Sequence, residues 1–349
     1  MNSSSNKHCL IITLCKSPNF GAYLQAFALK EVLTSYGYQV SFLDIYNKEN
    51  TKKLYRHLFG GVRRRPSAHI FNIRKLIAFK KAEKELKIIP RSNLSKFKAV
   101  FIGSDEVWSV TNGTFKSAPE FFGLNLPDTL KFSYAPSVGS SKVKDLSEYP
   151  EYTKGISNLD LISVRDSESK LVAEYAAPNH DITTVLDPTF LYDFSKNEAP
   201  YDIDKPYILV YTYGFNKKII KEIKSYAKKN KLLLVSAGFH HKWADKNIAC
   251  TPFEFLSIVK NAQYVVTDTF HGSIFAIKYR KNFLSYGGHK PKVKYLLESL
   301  NLSDALAEVG RLTKKSKIKT DYSNLDRALN PKLDISREFL DRCDNQIKK

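Results

Sequence analysis

The chain has 349 residues, 43% of them hydrophobic, and 55 Lys and Arg against 35 Asp and Glu give a formal net charge of +20. That length and apolar content suit two domains with real cores and exclude a disordered chain. No run of 18 apolar residues occurs, which excludes a membrane-spanning helix.

The four cysteines, Cys9, Cys15, Cys250 and Cys343, are scattered without a C-x-x-C pair. A zinc or redox dithiol site is therefore not expected, and a reducing cytoplasm suits them best. The opening MNSSSNKHCLIITLC reads as a polar tail entering a first strand and not as a secretion signal. Charge is concentrated in Thr51 to Arg91, which holds 13 Lys and Arg against Glu83 and Glu85.

Leu10 to Leu14 is a near-continuous apolar run of the kind buried in a parallel strand. After a polar loop from Lys16 to Gly21, Ala22 to Tyr36 has helical spacing, with Gly37 placed to end the helix. Val40 to Asp44 is a second strand, completing the opening unit of a doubly wound sheet. Asp44 resembles a ribose-binding acid, but the first loop lacks G-x-G-x-x-G, so a dinucleotide site is not supported. Arg63-Arg64-Arg65-Pro66 is a basic turn. Ile70 to Leu86 reads as a helix with Ile73, Leu76, Ile77 and Phe79 apolar and Arg74, Lys75, Lys80, Lys81 and Lys84 polar. This segment suits either anionic headgroups or a diphosphate-linked substrate; the other reading is a solvated basic helix packed by one face.

Further strands end at Asp105, at Ser137 and at Arg165, and one ligand cleft shared by these three ends is the economical reading. Thr184 to Thr189 reads as a strand broken by Pro188. The polar, proline-bearing stretch Phe194 to Lys205 marks a boundary, after which a second α/β unit begins. The organisation expected is 1–194, 195–323 and a helical tail 324–349 that Pro331 interrupts or restarts.

Within the second unit, Tyr264-Val265-Val266 is a strand, Thr267 to Phe270 a turn, and Ile274, Phe275 and Ile277 belong to a following helix. This order sets His271 at the carboxyl end of a strand and the start of a helix, where open parallel sheets bind ligands and free backbone N–H groups favour an anion. An imidazole there, with Lys290 and Lys292 close in sequence, suits acid–base work on a phosphorylated substrate. The plainer reading is a polar residue capping a helix.

Several stretches together resemble the polysaccharide pyruvyl transferase family. They are Asn19 to Leu29, Ile102 to Trp108, Tyr134 to Gly139, Ile162 to Asp166, Val185 to Thr189, Thr267 to Gly272 and Pro291 to Val293. The resemblance implies an α/β fold of two Rossmann-like domains facing across a cleft, as in GT-B glycosyltransferases. It implies transfer of the enolpyruvyl-derived group of phosphoenolpyruvate to a sugar hydroxyl pair, giving a ketal. By similarity His271 is the catalytic histidine, Arg165 and Lys292 are basic donor-binding residues, and Asp105 matches a site aspartate of some members. Lys290, Ser137, Asn19 and Gln25 complete the expected substrate-binding set.

Phosphoenolpyruvate is then a co-substrate, with no cofactor or metal expected. The partner is a sugar acceptor on a surface polysaccharide or on a polyprenyl-diphosphate precursor. The expected place is the cytoplasm, with contact at the inner face of the plasma membrane through 51–91 left open. Two other classes stay open at this point. A glycosyltransferase with a nucleotide-sugar donor would share the fold, and the charge admits a nucleic-acid-binding module, although no nucleic-acid motif is present.

Overall fold

The computed structural model describes residues 7–46, 48–60, 66–94, 97–112, 117–314 and 317–349. The basic run Arg63-Arg64-Arg65 lies outside these residues.

The first unit is a seven-stranded, all-parallel sheet in the order β3-β2-β1-β4-β5-β6-β7. Its strands are β1 His8–Ile12, β2 Gln39–Leu43, β3 Ile88–Ile89, β4 Ala99–Ile102, β5 Leu130–Ser133, β6 Leu161–Val164 and β7 Ile182–Thr184. Leu10 lies opposite both Ser41 on β2 and Val100 on β4. β1 is fully buried from Cys9 to Ile12, as its unbroken apolar sequence requires of a strand covered on both faces.

Helix α1, Phe20–Ser35, begins where the Asn19 side chain accepts hydrogen bonds from the N–H groups of Gly21 and Ala22. It ends just before Gly37, whose φ of 88° is adopted most readily by a residue without Cβ. There Gly37 N donates to Thr34 O at 2.9 Å and Tyr38 N to Leu33 O at 3.2 Å, which satisfies carbonyls the helix itself leaves free.

The second unit is a five-stranded parallel sheet in the order β10-β9-β8-β11-β12. Its strands are β8 Tyr207–Tyr211, β9 Leu233–Ala237, β10 Lys246–Ile248, β11 Tyr264–Thr267 and β12 Phe283–Ser285. In each sheet the strand order reverses once, between β1 and β4 and between β8 and β11. These are the two places where open α/β sheets leave a crevice for a ligand.

The units meet through an apolar seam. Phe20 of α1 stacks on Phe255 at 4.2 Å between centroids and on Phe79 at 5.3 Å, and Phe27 meets Phe253 edge-on at 5.0 Å.

Three local readings differ from the sequence expectation. The chain after β7 does not run on as a strand to Thr189; it turns, and Asp187 caps a short 3₁₀ turn over Pro188–Phe190 by accepting from Thr189 N. The tail is one helix, Leu325–Lys348, running through Pro331. It returns to the first unit, where Tyr36 and Tyr38 donate to Asp341 and Asp344, both at 2.7 Å, and Leu186 N donates to Ser336 Oγ at 2.9 Å.

The third difference concerns the basic segment, which forms two helices, Lys48–Phe59 (α2) and Pro66–Glu83 (α3). The face of α3 that packs inward carries Phe71, Lys75, Phe79 and Ala82, whereas Ile73 and Ile77, expected on the packed face, are exposed. Apolar residues occur on both sides of this helix, so its sequence period does not select the buried face. Among the described residues, no helix is long and apolar enough to cross a membrane.

Candidate active site

The two sheet crevices face one another across a cavity of about 890 Å³. Its walls come from the loop after β1 (Leu14, Pro18, Asn19), the loop after β4 (Asp105, Glu106), the ends of β8 and β11 (Tyr213, His271) and the loop after β12 (Lys290, Lys292). Helices α2 and α3 close one end with Leu54, Leu58, His69, Asn72 and Lys75.

His271 is the second residue of helix α4, Phe270–Lys278, whose first turn is capped by Thr269 Oγ1 accepting from Gly272 N at 3.0 Å. A Cβ on Gly272 would lie 2.2 Å from Thr267 Oγ1, so that position needs glycine if the capping threonines are to keep their places. The imidazole is 9% exposed and forms part of the cavity wall. Its Nε2 lies 3.4 Å from Asp187 Oδ2 and makes no hydrogen bond. On its other side the ring fills the space that a side chain on Gly21 would take, since a Cβ there would sit 2.2 Å from Nδ1. The amino ends of α1 and α4 therefore meet around this ring, and both present the positive end of a helix dipole.

Asp187 joins the pieces. It is 1% exposed. Its Oδ2 accepts from Arg165 Nη1 at 2.8 Å and from Ser104 Oγ at 3.2 Å, while Oδ1 accepts from Thr189 Oγ1 at 2.7 Å. Burial acts to raise its pKa, but His271, Arg165 and Thr189 outweigh burial and hold the carboxyl well below the usual carboxylate range. Arg165 is 4% exposed and stands behind the cavity wall, with its guanidinium carbon 4.2 Å from the centroid of the Phe270 ring. Burial lowers its pKa; Asp187, then Asp105 and Asp166, more than reverse this. Nε and Nη2 of Arg165 are buried without a hydrogen-bond partner, and Nη2 lies 3.9 Å from Asp105 Oδ1.

Asp105 has a φ of 75°, in the left-handed region that a residue with a side chain enters at a cost of about 1 kcal/mol or more. This backbone turn at the end of β4 puts Asp105 and Glu106 on the cavity wall. Glu106 pairs with Lys292, and Lys290 Nζ lies 2.9 Å from Asp268 Oδ2. Burial pushes Glu106 upward, but Lys292, with Arg165 and His271, brings its pKa below the usual value.

The structure thus brings together Asp105, His271, Lys290, Lys292 and Asn19 on one cavity, with Arg165 beneath it. Asn19 also ties the units together, since its Nδ2 donates to Tyr213 Oη at 2.8 Å. Two expected residues are elsewhere. Ser137 is fully buried and donates to Asp166 Oδ2 at 2.7 Å; Gln25 is fully buried and donates to Thr13 Oγ1 and Ala22 O, both at 2.9 Å. Both hold the loops that carry the site and do not line the cavity. Asp44 pairs with Lys16 at 2.8 Å.

Asp187 and Glu106 are functional candidates that sequence reasoning passed over. Asp187 was signalled only by an Asp-Pro pair at a strand end, and Glu106 only by standing next to Asp105.

A family model described as polysaccharide pyruvyl transferase matches residues 19–289. The chain belongs to the polysaccharide pyruvyl transferase family. Membership makes it a transferase and implies a polysaccharide acceptor. The matched stretch contains Asp105, Arg165, Asp187 and His271; Lys290 and Lys292 lie just beyond it. No curated protein sequence matches the chain.

Among solved structures, a UDP-N-acetylglucosamine 2-epimerase from Rickettsia bellii is similar at 10% identity, covering 98% of this chain and 96% of that one, with a TM-score of 0.53. The UDP-GlcNAc 2-epimerase of Methanocaldococcus jannaschii, in complex with UDP-GlcNAc and UDP, is similar at 12% identity over 93% and 98% of the two chains, with a TM-score of 0.49. A glycosyltransferase from Streptomyces sp. SF2575, complexed with thymidine diphosphate, is similar at 12% identity over 97% and 99%, with a TM-score of 0.45. At such identities the likeness is one of fold, carried by the first of the three: two Rossmann-like domains across a cleft, the GT-B arrangement.

Proposed function

We propose that this transferase moves the enolpyruvyl-derived group of phosphoenolpyruvate onto two hydroxyls of a sugar, forming a cyclic pyruvate ketal and releasing inorganic phosphate. The observation that carries this reading is the set of cations around one imidazole. Lys290 and Lys292 line the cavity with His271, the buried Arg165 shares Asp187 Oδ2 with it, and His271 Nε2 and Arg165 Nε and Nη2 lack hydrogen-bond partners. A small donor with a carboxylate and a phosphate matches that charge.

Lys290 and Lys292 take the anionic groups of the donor, and Arg165 adds positive charge from beneath the wall. His271, with Nε2 turned to Asp187, delivers a proton from its imidazole to the methylene carbon, so that positive character develops at the central carbon. One sugar hydroxyl adds there and loses its proton to Asp105. The carbon–oxygen bond to phosphate then breaks, phosphate leaves with the bonding pair, and the second hydroxyl closes the ring, its proton returning to the imidazole that His271 left unprotonated in the first step.

Incubation with phosphoenolpyruvate and a panel of polyprenyl-linked and free sugars, read by mass spectrometry, should show a product heavier by one ketal-bound pyruvate, together with released phosphate. Stabilisation by UDP-sugars but not by phosphoenolpyruvate in a thermal-shift assay would replace the reading with a nucleotide-sugar transferase.

The same reading extends to where the acceptor waits. Ile70, Ile73 and Ile77 of α3 are 52%, 42% and 65% exposed and Tyr55 of α2 is 49% exposed. Exposed Lys52, Arg56, Arg74, Lys80 and Lys81 lie on the same two helices. Apolar side chains among cations are the pattern of a helix lying on an anionic bilayer. Peripheral contact predicts co-sedimentation with phosphatidylglycerol vesicles and little with phosphatidylcholine; equal behaviour toward both lipids would refute it.

A further inference from the structure

Lys75 differs from the other lysines of the cavity. It sits on the inward face of α3, is 5% exposed and lines the cavity. Lys290 and Lys292 each hold a carboxylate. Among the described residues, no carboxylate and no hydrogen bond engages Lys75; its Nζ lies over the ring of Phe239 at 4.9 Å from the centroid. Burial pushes its pKa down to about 8, as expected of an ammonium without an anion.

His69 and Asn72 share the same cavity wall, about two turns and one turn before Lys75 on α3; His69 Nδ1 is buried without a partner, and Asn72 Nδ2 donates to Leu58 O at 2.6 Å, which fixes its amide on that wall. Next to these polar groups, Leu14, Leu54 and Leu58 supply an apolar wall. A charged recess bordered by leucines fits a ligand whose anionic group leads into a hydrocarbon.

We propose that Lys75, with His69 and Asn72, forms a second anion site at the α2–α3 end of the cavity that holds the diphosphate joining the sugar acceptor to an isoprenoid carrier. This rests on the reading of the cavity as a sugar-acceptor site and adds the anchor at its far end. The sugar then extends from Lys75 toward His271, while Leu54 and Leu58 receive the first carbons of the carrier.

The test uses the full-length protein and inorganic pyrophosphate as probe, followed by isothermal titration. Wild type should bind pyrophosphate, Lys75→Met should weaken it about tenfold or more, and Lys75→Arg should keep most of the affinity. The response of Lys75→Met to phosphoenolpyruvate in the same assay should persist, which separates this site from the donor site. A melting curve for Lys75→Met confirms that the variant is folded.

The proposal is overturned if pyrophosphate does not bind wild type, or if it binds Lys75→Met as well as wild type. Binding of glucuronate in place of pyrophosphate would assign the ammonium to a sugar carboxylate and overturn it as well. Loss of phosphoenolpyruvate turnover in wild type would sink the donor reading alone and leave a pyrophosphate site standing.

Discussion

Arg165 and Lys75 are both buried cations at the edge of one cleft, and their surroundings are opposite. Arg165 lies among Asp187, Asp105 and Asp166, which together raise its pKa. Among the described residues, Lys75 has an aromatic ring and no carboxylate beside it, and burial lowers its pKa to about 8. The first charge is compensated by the protein and helps to hold Asp187 against His271. The second is uncompensated, and an incoming anion would complete it. Of these two buried cations, then, Arg165 is held by the protein's own carboxylates and Lys75 is the one that an anion from outside would compensate.

The largest effect expected is on turnover. His271→Ala should lower ketal formation by about a hundred- to ten-thousandfold while cooperative melting persists, and near-normal phosphate release with acceptor present would remove His271 from the chemistry.

Asp187→Ala removes the anion that compensates Arg165 and should cost about 3–5 kcal/mol in urea unfolding. Because Asp187 and Glu106 have folded pKa values below their unfolded ones, the stability they lend is complete above the ordinary carboxylate pKa of about 4. It is lost as pH falls through their folded values. Asp187→Asn should therefore flatten the acid limb of a plot of Tm against pH, and an unchanged limb would show that Asp187 is not the group responsible.

Gly21→Ala sets a methyl 2.2 Å from His271 Nδ1 and should cost about a hundredfold in turnover by displacing the ring, with helix α1 intact by circular dichroism. Wild-type turnover in that variant would mean that the ring's place against α1 is not needed.

The smallest effect sharpens the comparison from the other side. Lys75→Met removes an uncompensated buried charge and should stabilise the protein by up to about 3 kcal/mol at pH 7. Between the folded pKa of about 8 and the unfolded 10.5 the unfolded chain binds more protons, so wild-type stability rises with pH and the advantage of methionine shrinks. A destabilised Lys75→Met would show that the ammonium is compensated by the protein after all.

Much of this was legible locally. The apolar run Leu10 to Leu14 reads as a buried parallel strand, and β1 is buried from Cys9 to Ile12; Gly37 reads as the end of the first helix, whereas the Asn19 cap at its start came only with the structure. His271 was found because strand β11, its turn and helix α4 are contiguous in sequence. Asp187 was not, because its meaning depends on Arg165, 22 residues before it, and on His271 in the other sheet. Lys75 was misplaced for a related reason: residue type assigned it to the solvent side of α3, and packing against the second unit turned it inward. Ser137 and Gln25 stand at site-like positions at a strand end and an opening helix, and only the packing shows them spent on internal hydrogen bonds.

By itself, the amino-acid sequence determined two α/β units, their order of strands and helices, the imidazole at a strand-to-helix junction and the family motifs, because each is written in contiguous apolar periods and caps. Which carboxylate answers which cation, which face of α3 looks inward, and that the two sheet crevices enclose one cavity were decided only by tertiary structure. Those facts are relations between residues far apart in the chain, and charge compensation acts over a few ångströms of space and not over positions in sequence.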